Sequence, residues 1–256
     1  MLRAMSFNVR VDTDEDDPSD EWPEREATVA SVVRLHAPDL VGLQEALAGQ
    51  FAALRERLPD YEWIGVGRRD GASDGEHVPI GHADRFERLD SGTFWLSEAP
   101  GEAGSVGWDA SLPRIATWAR LRDGETGTTV LFCNTHFDHR GEVAREESAR
   151  LLAERLPSVA DGAPIVLTGD FNCEPGSTPY ETLTEQFTDA KAAADHPHHG
   201  PTGTFHGFGG DPDGRIDYVF VDGGVSVRQH ATLTDRWDGG YPSDHFPVLA
   251  ECEPGA

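Results

Sequence analysis

The chain has 256 residues, 38% of them hydrophobic, which suits one large α/β or sandwich domain spanning residues 1–256. It carries 46 acidic residues against 21 basic ones, a formal net charge of -25, and Lys191 is its only lysine. At low salt such a charge repels nucleic acid, and no stretch is long and apolar enough to read as a bilayer-crossing helix. An acidic excess with almost no lysine resembles proteins of halophiles, which hold molar salt in the cytoplasm. There the Debye length is only about 3 Å, so a polyanionic substrate is not excluded. Cys133, Cys173 and Cys252 form no metal-ligand spacing, and a reduced, cytoplasmic setting is expected.

Leu2 to Val9 reads as a strand rather than a secretory signal, and an acidic, solvated loop follows from Asp12 to Asp20. Glu24 to Leu35 has helical spacing and stops before Pro38. Asp39 to Glu45 is a buried strand, Gln50 to Leu58 a helix and Tyr61 to Val66 a strand, a β-α-β-α-β opening. Arg85 to Leu96, Ile115 to Leu121 and Thr128 to Thr135 are β-rich runs suited to antiparallel pairing. Glu142 to Leu156 is the clearest helix, with Val143, Ala149, Leu151, Leu152 and Leu156 as its apolar residues. Ile165 to Thr168 is an apolar strand, Thr178 to Phe187 helical, and Ile216 to Val221 and Phe246 to Ala250 are the closing strands. This order fits a four-layer α-β-β-α sandwich: two packed mixed sheets flanked by helices.

Short polar motifs end the apolar runs: Ser6-Phe7-Asn8, Leu43-Gln44-Glu45, Asn134-Thr135-His136, Thr168-Gly169-Asp170-Phe171-Asn172, Arg215-Ile216-Asp217-Tyr218 and Ser243-Asp244-His245. A strand that crosses a core and ends on such a residue delivers it to the sheet edge. Taken singly, each motif has a bland explanation as a turn, cap or surface loop. Taken together they gather carboxylate, amide and imidazole groups, the parts of a metal-assisted phosphoester hydrolase. Hard cations such as Mg²⁺ or Mn²⁺ take oxygen ligands, with Glu45 the best single candidate and Asn8 and Asp244 beside it. Asp170 and Asn172 pair a base with an orienting amide. His136, Asn172, His245 and Arg114 are donors for a phosphoryl group, and Asp217 can keep His245 cationic.

In this order the motifs resemble the endonuclease/exonuclease/phosphatase superfamily, which includes pancreatic-type deoxyribonucleases, and the resemblance covers essentially the whole chain. It implies the four-layer fold, a divalent metal and phosphoester hydrolysis. By its motifs, Asn8, Glu45 and Asp244 match metal-site positions, and His136, Asp170, Asn172, Asp217 and His245 match catalytic ones. Further stretches, including Ser91-Gly92-Thr93-Phe94-Trp95 and Arg114-Ile115-Ala116-Thr117-Trp118, resemble a nocturnin-related prokaryotic branch. That branch carries aromatic residues after Pro79-Ile80, where this chain has Gly81-His82-Ala83, a departure from the substrate wall that the resemblance implies there.

Glu76, Arg114 and His139 are candidate substrate-binding residues, while Arg68-Arg69 and Arg85/Arg88 are candidates for a modest basic rim. His196, His198 and His199 lie in a loop without a nearby cysteine and do not read as a zinc site. The expected activity is divalent-metal-dependent cleavage of a phosphodiester in DNA or RNA by in-line water attack. Hydrolysis of a small phosphorylated metabolite is the alternative, and a catalytically inactive binding domain a third reading. Asp170 or His245 is the base. No membrane partner and no obligate protein partner is read from the sequence.

Overall fold

The computed structural model describes residues 1–255. In chain order it contains β1 (Leu2–Asn8), α1 (Trp22–His36), β2 (Leu40–Gln44), α2 (Ala48–Arg57), β3 (Tyr61–Ile64), β4 (Ile80–Ala83), β5 (Phe86–Trp95) and β6 (Ile115–Asp123). There follow β7 (Thr129–His136), α3 (Glu142–Ala160), β8 (Ile165–Asp170), α4 (Thr178–Thr184), β9 (Thr188–Asp189), α5 (Ala190–Ala193), β10 (Asp217–Val221), β11 (Val225–Thr232) and β12 (Val248–Pro254). The strands form two six-stranded sheets, ordered β11-β12-β1-β2-β4-β3 and β5-β6-β7-β8-β10-β9. The expected two-sheet α/β sandwich is the fold observed. None of the described helices is long and apolar enough to cross a membrane.

Three apolar clusters make the four layers. Ala4, Leu40, Ile80, Phe132, Val166 and Val219 fill the space between the sheets. The outer face of the first sheet packs on α1 and α2 through Phe7, Val29, Val33, Val41 and Leu54. The outer face of the second packs on α3 and α4 through Leu131, Ala149, Leu152, Leu167 and Leu183.

Each sheet has a parallel pair at its centre, β1 with β2 and β7 with β8. Their carboxyl ends point to the same end of the sandwich, where side chains from all four can meet. Side chains alternate between faces along a strand, so the inward-facing residues read as Leu2, Ala4, Ser6, Asn8 on β1 and Leu40, Gly42, Gln44 on β2. On β7 they are Val130, Phe132, Asn134, His136, and on β8 Val166, Thr168, Asp170. Antiparallel β10 runs the other way, with Asp217 opposite Asp170. The interface therefore changes from apolar to polar along its length. Gln44 donates to Ser6 Oγ at 3.1 Å and to Asn134 Oδ1 at 2.6 Å, while Thr168 Oγ1 donates to the same Oδ1 at 3.2 Å. A Cβ at Gly42 would lie 2.4 Å from both Asn134 Oδ1 and Thr168 Oγ1, so only glycine lets the sheets close there.

Several boundaries differ from the expected ones. Pro23 sits in the first turn of α1, which needs no N–H, so the helix starts at Trp22. α3 continues through Pro157 to Ala160, and Val143, expected in its apolar stripe, is 49% exposed while Ala144 is buried. α4 ends at Thr184, because Phe187 turns into the core ahead of the short strand β9. β11 has no strand signature in the sequence, because a bulge between Val227 and Gln229 breaks its alternation. Gly81-His82-Ala83 lies on β4, where a Cβ on Gly81 would meet Trp63 and Val41 at 2.9 Å. Among the histidines without a metal reading, His198 Nδ1 lies 3.0 Å from His230 Nδ1 instead.

Candidate active site

Beyond the polar layer, strand ends and two loops close around one cleft of about 500 Å³. Asn8 ends β1 and is fully buried. Its amide nitrogen donates to Glu45 Oε1 and to Asp170 Oδ2, both at 2.9 Å, while its carbonyl accepts the Arg10 N–H at 3.0 Å. Glu45 follows β2 in the left-handed region, with φ 65°, and its second oxygen accepts the Val11 N–H at 2.8 Å. A left-handed glutamate is strained, and the surrounding bonds hold it there. Asp170 ends β8, and its Oδ1 accepts the Asn172 N–H at 3.0 Å; Asn172 is also left-handed, with φ 47°.

The loop before β12 supplies the remaining groups. His245 Nδ1 lies 2.9 Å from Asp217 Oδ2, and its Nε2 lies 3.9 Å from both Asp170 Oδ2 and Asp244 Oδ1. Arg25, reaching in from α1, donates to Val9 O at 2.8 Å and to Pro242 O at 2.9 Å, tying this loop to the end of β1. Ser243 Oγ adds a 2.7 Å bond to Asn8 O. The structure thus brings Asn8, Glu45, His136, Asp170, Asn172, Asp217, Asp244 and His245 together at one end of the sandwich.

Burial and crowding set the charges. Burial is the largest effect on Asp170 and the Asp217 charge adds to it; together they push its carboxyl up to about 7 against the pull of His245 and Asn8. Burial also raises Asp244. Burial acts to neutralise His245, but Asp217, Asp244 and Asp170 outweigh it and hold the imidazole protonated well above its usual range. For Glu45, burial is outweighed by His245, the Asn8 hydrogen bond and the Val11 N–H, and its carboxyl is held below the usual range. His136 is the opposite case, since burial and the positive charges of Arg114 and Arg68 keep it neutral. Asn172 Nδ2 donates to Phe137 O at 3.0 Å and faces His136 Nε2 at 3.1 Å, which assigns the His136 proton to Nδ1.

Glu76, Arg114 and His139 form one wall. Arg114 is only 4% exposed; its Nη2 lies 3.1 Å from His139 Nδ1 and its Nε 3.5 Å from Asp138 Oδ2. Glu76 is clamped by Arg68 at 2.7 and 2.8 Å. Of the four residues expected at a basic rim, Arg68 is buried behind Glu76 and Arg85 pairs with Asp39 and Asp123 near the far end of β5, while Arg69 and Arg88 are exposed. Arg145, at the start of α3, donates to Asp138 O at 3.0 Å and braces the His139 loop.

Three contributors escaped the sequence reading. Arg10 lines the cleft with φ 58° and is gripped by Asp16 at 2.6 Å, so the acidic loop is not merely solvated. Its signal was its place two residues after Asn8. Arg25 occupied an otherwise apolar helical stripe. Phe205 had no motif at all, and only its approach to the 244–246 loop brings it to the cleft.

A sandwich of this topology, with an acidic and imidazole-bearing cleft at the ends of its parallel strands, is a phosphoester-hydrolase architecture. The chain belongs to the endonuclease/exonuclease/phosphatase family, matching it over residues 5–245. The family member from Bacteroides vulgatus is 41% identical, with a TM-score of 0.94, covering 99% of this chain and 98% of its own. A Bacteroides thetaiotaomicron protein described as a mannosyl-6-phosphatase is 36% identical, with a TM-score of 0.95, covering 99% of this chain and 100% of its own. An uncharacterized protein of Acanthamoeba polyphaga mimivirus is 28% identical over 176 residues, and the match spans 24% of that longer chain.

Proposed function

We propose that this protein is a divalent-cation-dependent phosphatase acting on a small phosphorylated metabolite, as one domain, in a salt-rich cytoplasm. The observation that carries the reading is the convergence of Glu45, Asp170 and His245, whose ligand atoms all lie within 4.8 Å of one another. The donor set fits a hard cation. Glu45, Asp170 and Asp244 crowd one buried pocket, and the rise of Asp170 to about 7 reflects burial and unbalanced negative charge. Glu45 and Asp244 would hold Mg²⁺ or Mn²⁺, with Asn8 orienting Glu45 through its amide nitrogen. When bound, the cation neutralises phosphate oxygens and the developing charge on the leaving oxygen.

The chain's own groups do the rest. Asp170, oriented by Asn8 and the Asn172 N–H, accepts a proton from water as its oxygen bonds to phosphorus and the ester P–O bond breaks in line. His245, held by Asp217, donates from Nε2 to the phosphoryl oxygens. The cationic state of His245 favours this donor assignment over its acting as the base. The alkoxide takes a proton from a solvent water as it departs, and Asp170 returns its proton to solvent.

Two features support a small substrate over a nucleic acid strand. The cleft volume is that of a small-molecule site. Arg10 is paired with Asp16 and Arg114 is buried in the wall beside His139 and Asp138, an arrangement that forms no basic track for successive phosphates. The likeness to a mannosyl-6-phosphatase over nearly the full chain agrees with this. The buried free cysteines Cys133, Cys173 and Cys252 fit a reducing compartment. The test is a screen in molar KCl with Mg²⁺ or Mn²⁺ across sugar phosphates, nucleotides and oligonucleotides. Turnover of small monoesters, abolished by chelator, is expected. Turnover confined to oligonucleotides would reject the substrate class, and full activity in chelator would reject the cation.

A further inference from the structure

One side chain at the cleft has no part in this scheme and an exposure that demands a reason. Phe205 is 37% exposed, although its neighbours Thr204 and His206 are buried. Its backbone is pinned on two sides: its N–H donates to Gly214 O at 3.1 Å, and its carbonyl accepts the Asp213 N–H at 2.9 Å. The adjoining Phe246 N–H donates to Thr204 O at 2.7 Å, locking the segment to the His245 loop. The ring meets the His245 imidazole edge-on, with centroids 5.1 Å apart and planes at 62°. A rigidly held aromatic ring, left open to a polar cleft beside the reacting groups, is a surface prepared for an apolar ligand face.

The opposite character appears at Glu76. Its Oε2 lies 3.9 Å from Arg114 Nη1 and 3.9 Å from His136 Nδ1, and neither nitrogen has a hydrogen-bond partner although both residues are buried. Gaps of this length are too wide for direct hydrogen bonds, and both nitrogens are closed to solvent, so the open edge of the Glu76 carboxylate is the part of this wall that a ligand hydroxyl can reach. A pyranose has both surfaces, a C–H face and a rim of hydroxyls. A nucleobase would also stack on Phe205, but a carboxylate flanked by buried donors matches a hydroxyl-bearing ring better.

We infer that Phe205 is a specificity-determining platform on which the ring of a monophosphorylated sugar packs, its hydroxyls read by Glu76. The inference rests on the phosphatase reading and names the substrate class of that same site. The test compares mannose 6-phosphate with glycerol 3-phosphate, which lacks the ring, for wild type, Phe205→Ala, Phe205→Trp and Glu76→Gln. KM is measured with Mg²⁺, and Kd is measured by calorimetry with Ca²⁺, so that binding is read without turnover. Phe205→Ala is expected to raise KM and Kd for the hexose phosphate about ten-fold more than for glycerol 3-phosphate, equivalent to about 1.4 kcal/mol. Phe205→Trp restores the preference, and Glu76→Gln weakens the hexose selectively. Equal effects on both ligands, or wild-type preference for adenosine 5′-monophosphate over the hexose, would overturn the platform. Absence of turnover on every phosphoester with selective hexose binding intact would sink the phosphatase reading and leave the platform standing.

Discussion

The two ends of the space between the sheets carry similar residues in opposite states. At the far end, Asp39 and Asp123 meet Arg85 at 3.0 and 3.1 Å, and the Arg3 N–H donates to Asp39 at 2.7 Å. At the cleft, Asp170, Asp217, Asp244 and Glu45 share one imidazolium and the Asn8 amide, with Arg10 only 3.8 Å from Asp244. One cluster holds the strands together and needs nothing further. The other gathers negative charge that the chain alone does not balance, which is the condition for recruiting a cation.

Substitution should separate the two. Asp170→Ala or His245→Ala is expected to lower kcat by about 10²–10⁴-fold, the usual worth of a positioned acid or base, while the circular dichroism spectrum keeps the wild-type form. Near-wild-type rates in both variants would remove them from the chemistry.

A second contrast is in stability against pH in chelator. Asp170 titrates at about 7 in the folded protein and near 3.9 when unfolded. The folded state therefore binds the extra proton between those values. The stability this contributes is complete below about pH 4 and is lost as pH rises through 7. Asp170→Asn should remove this loss, so its melting temperature should exceed that of wild type above pH 7 and the difference should shrink on acidification. Thermal melts from pH 5 to 8.5 check the sign, and a variant that melts lower at pH 8 would show that the ionised carboxylate is well accommodated.

The smallest effect belongs to the far end. Arg85→Ala should cost about 1 kcal/mol or less, because the guanidinium is partly solvent-screened, its side chain being 22% exposed, and kcat should not change. Denaturant unfolding with parallel kinetics tests this, and a kcat loss would mean that the two ends are coupled.

The fold was legible because inward-facing residues follow a period of two and turn polar in the same direction on several strands. Leu2, Ala4, Ser6, Asn8 and Val130, Phe132, Asn134, His136 show it directly. The same gradient exposed the members of the site, since a polar residue ending a buried strand has few other uses. What stayed hidden depends on contacts distant in sequence. Arg25 acts through carbonyls on Val9 and Pro242, the latter 217 positions away, and its place in an apolar helical stripe does not reveal those partners. Phe205 gains meaning only when Gly214 and the 244–246 loop fix it beside His245. Arg68 and Arg85 read as a basic rim because their partners, Glu76 and Asp39, do not stand beside them in the chain.

The most direct test of the central claim is an anomalous-difference map from crystals soaked in Mn²⁺, with Glu45→Gln as the paired control. A single strong peak at about 2.0–2.5 Å from a Glu45 carboxylate oxygen, on the side facing Asp170 and His245 and weakened in the variant, is predicted. A map with no density there, or with manganese bound only to surface carboxylates, would contradict it.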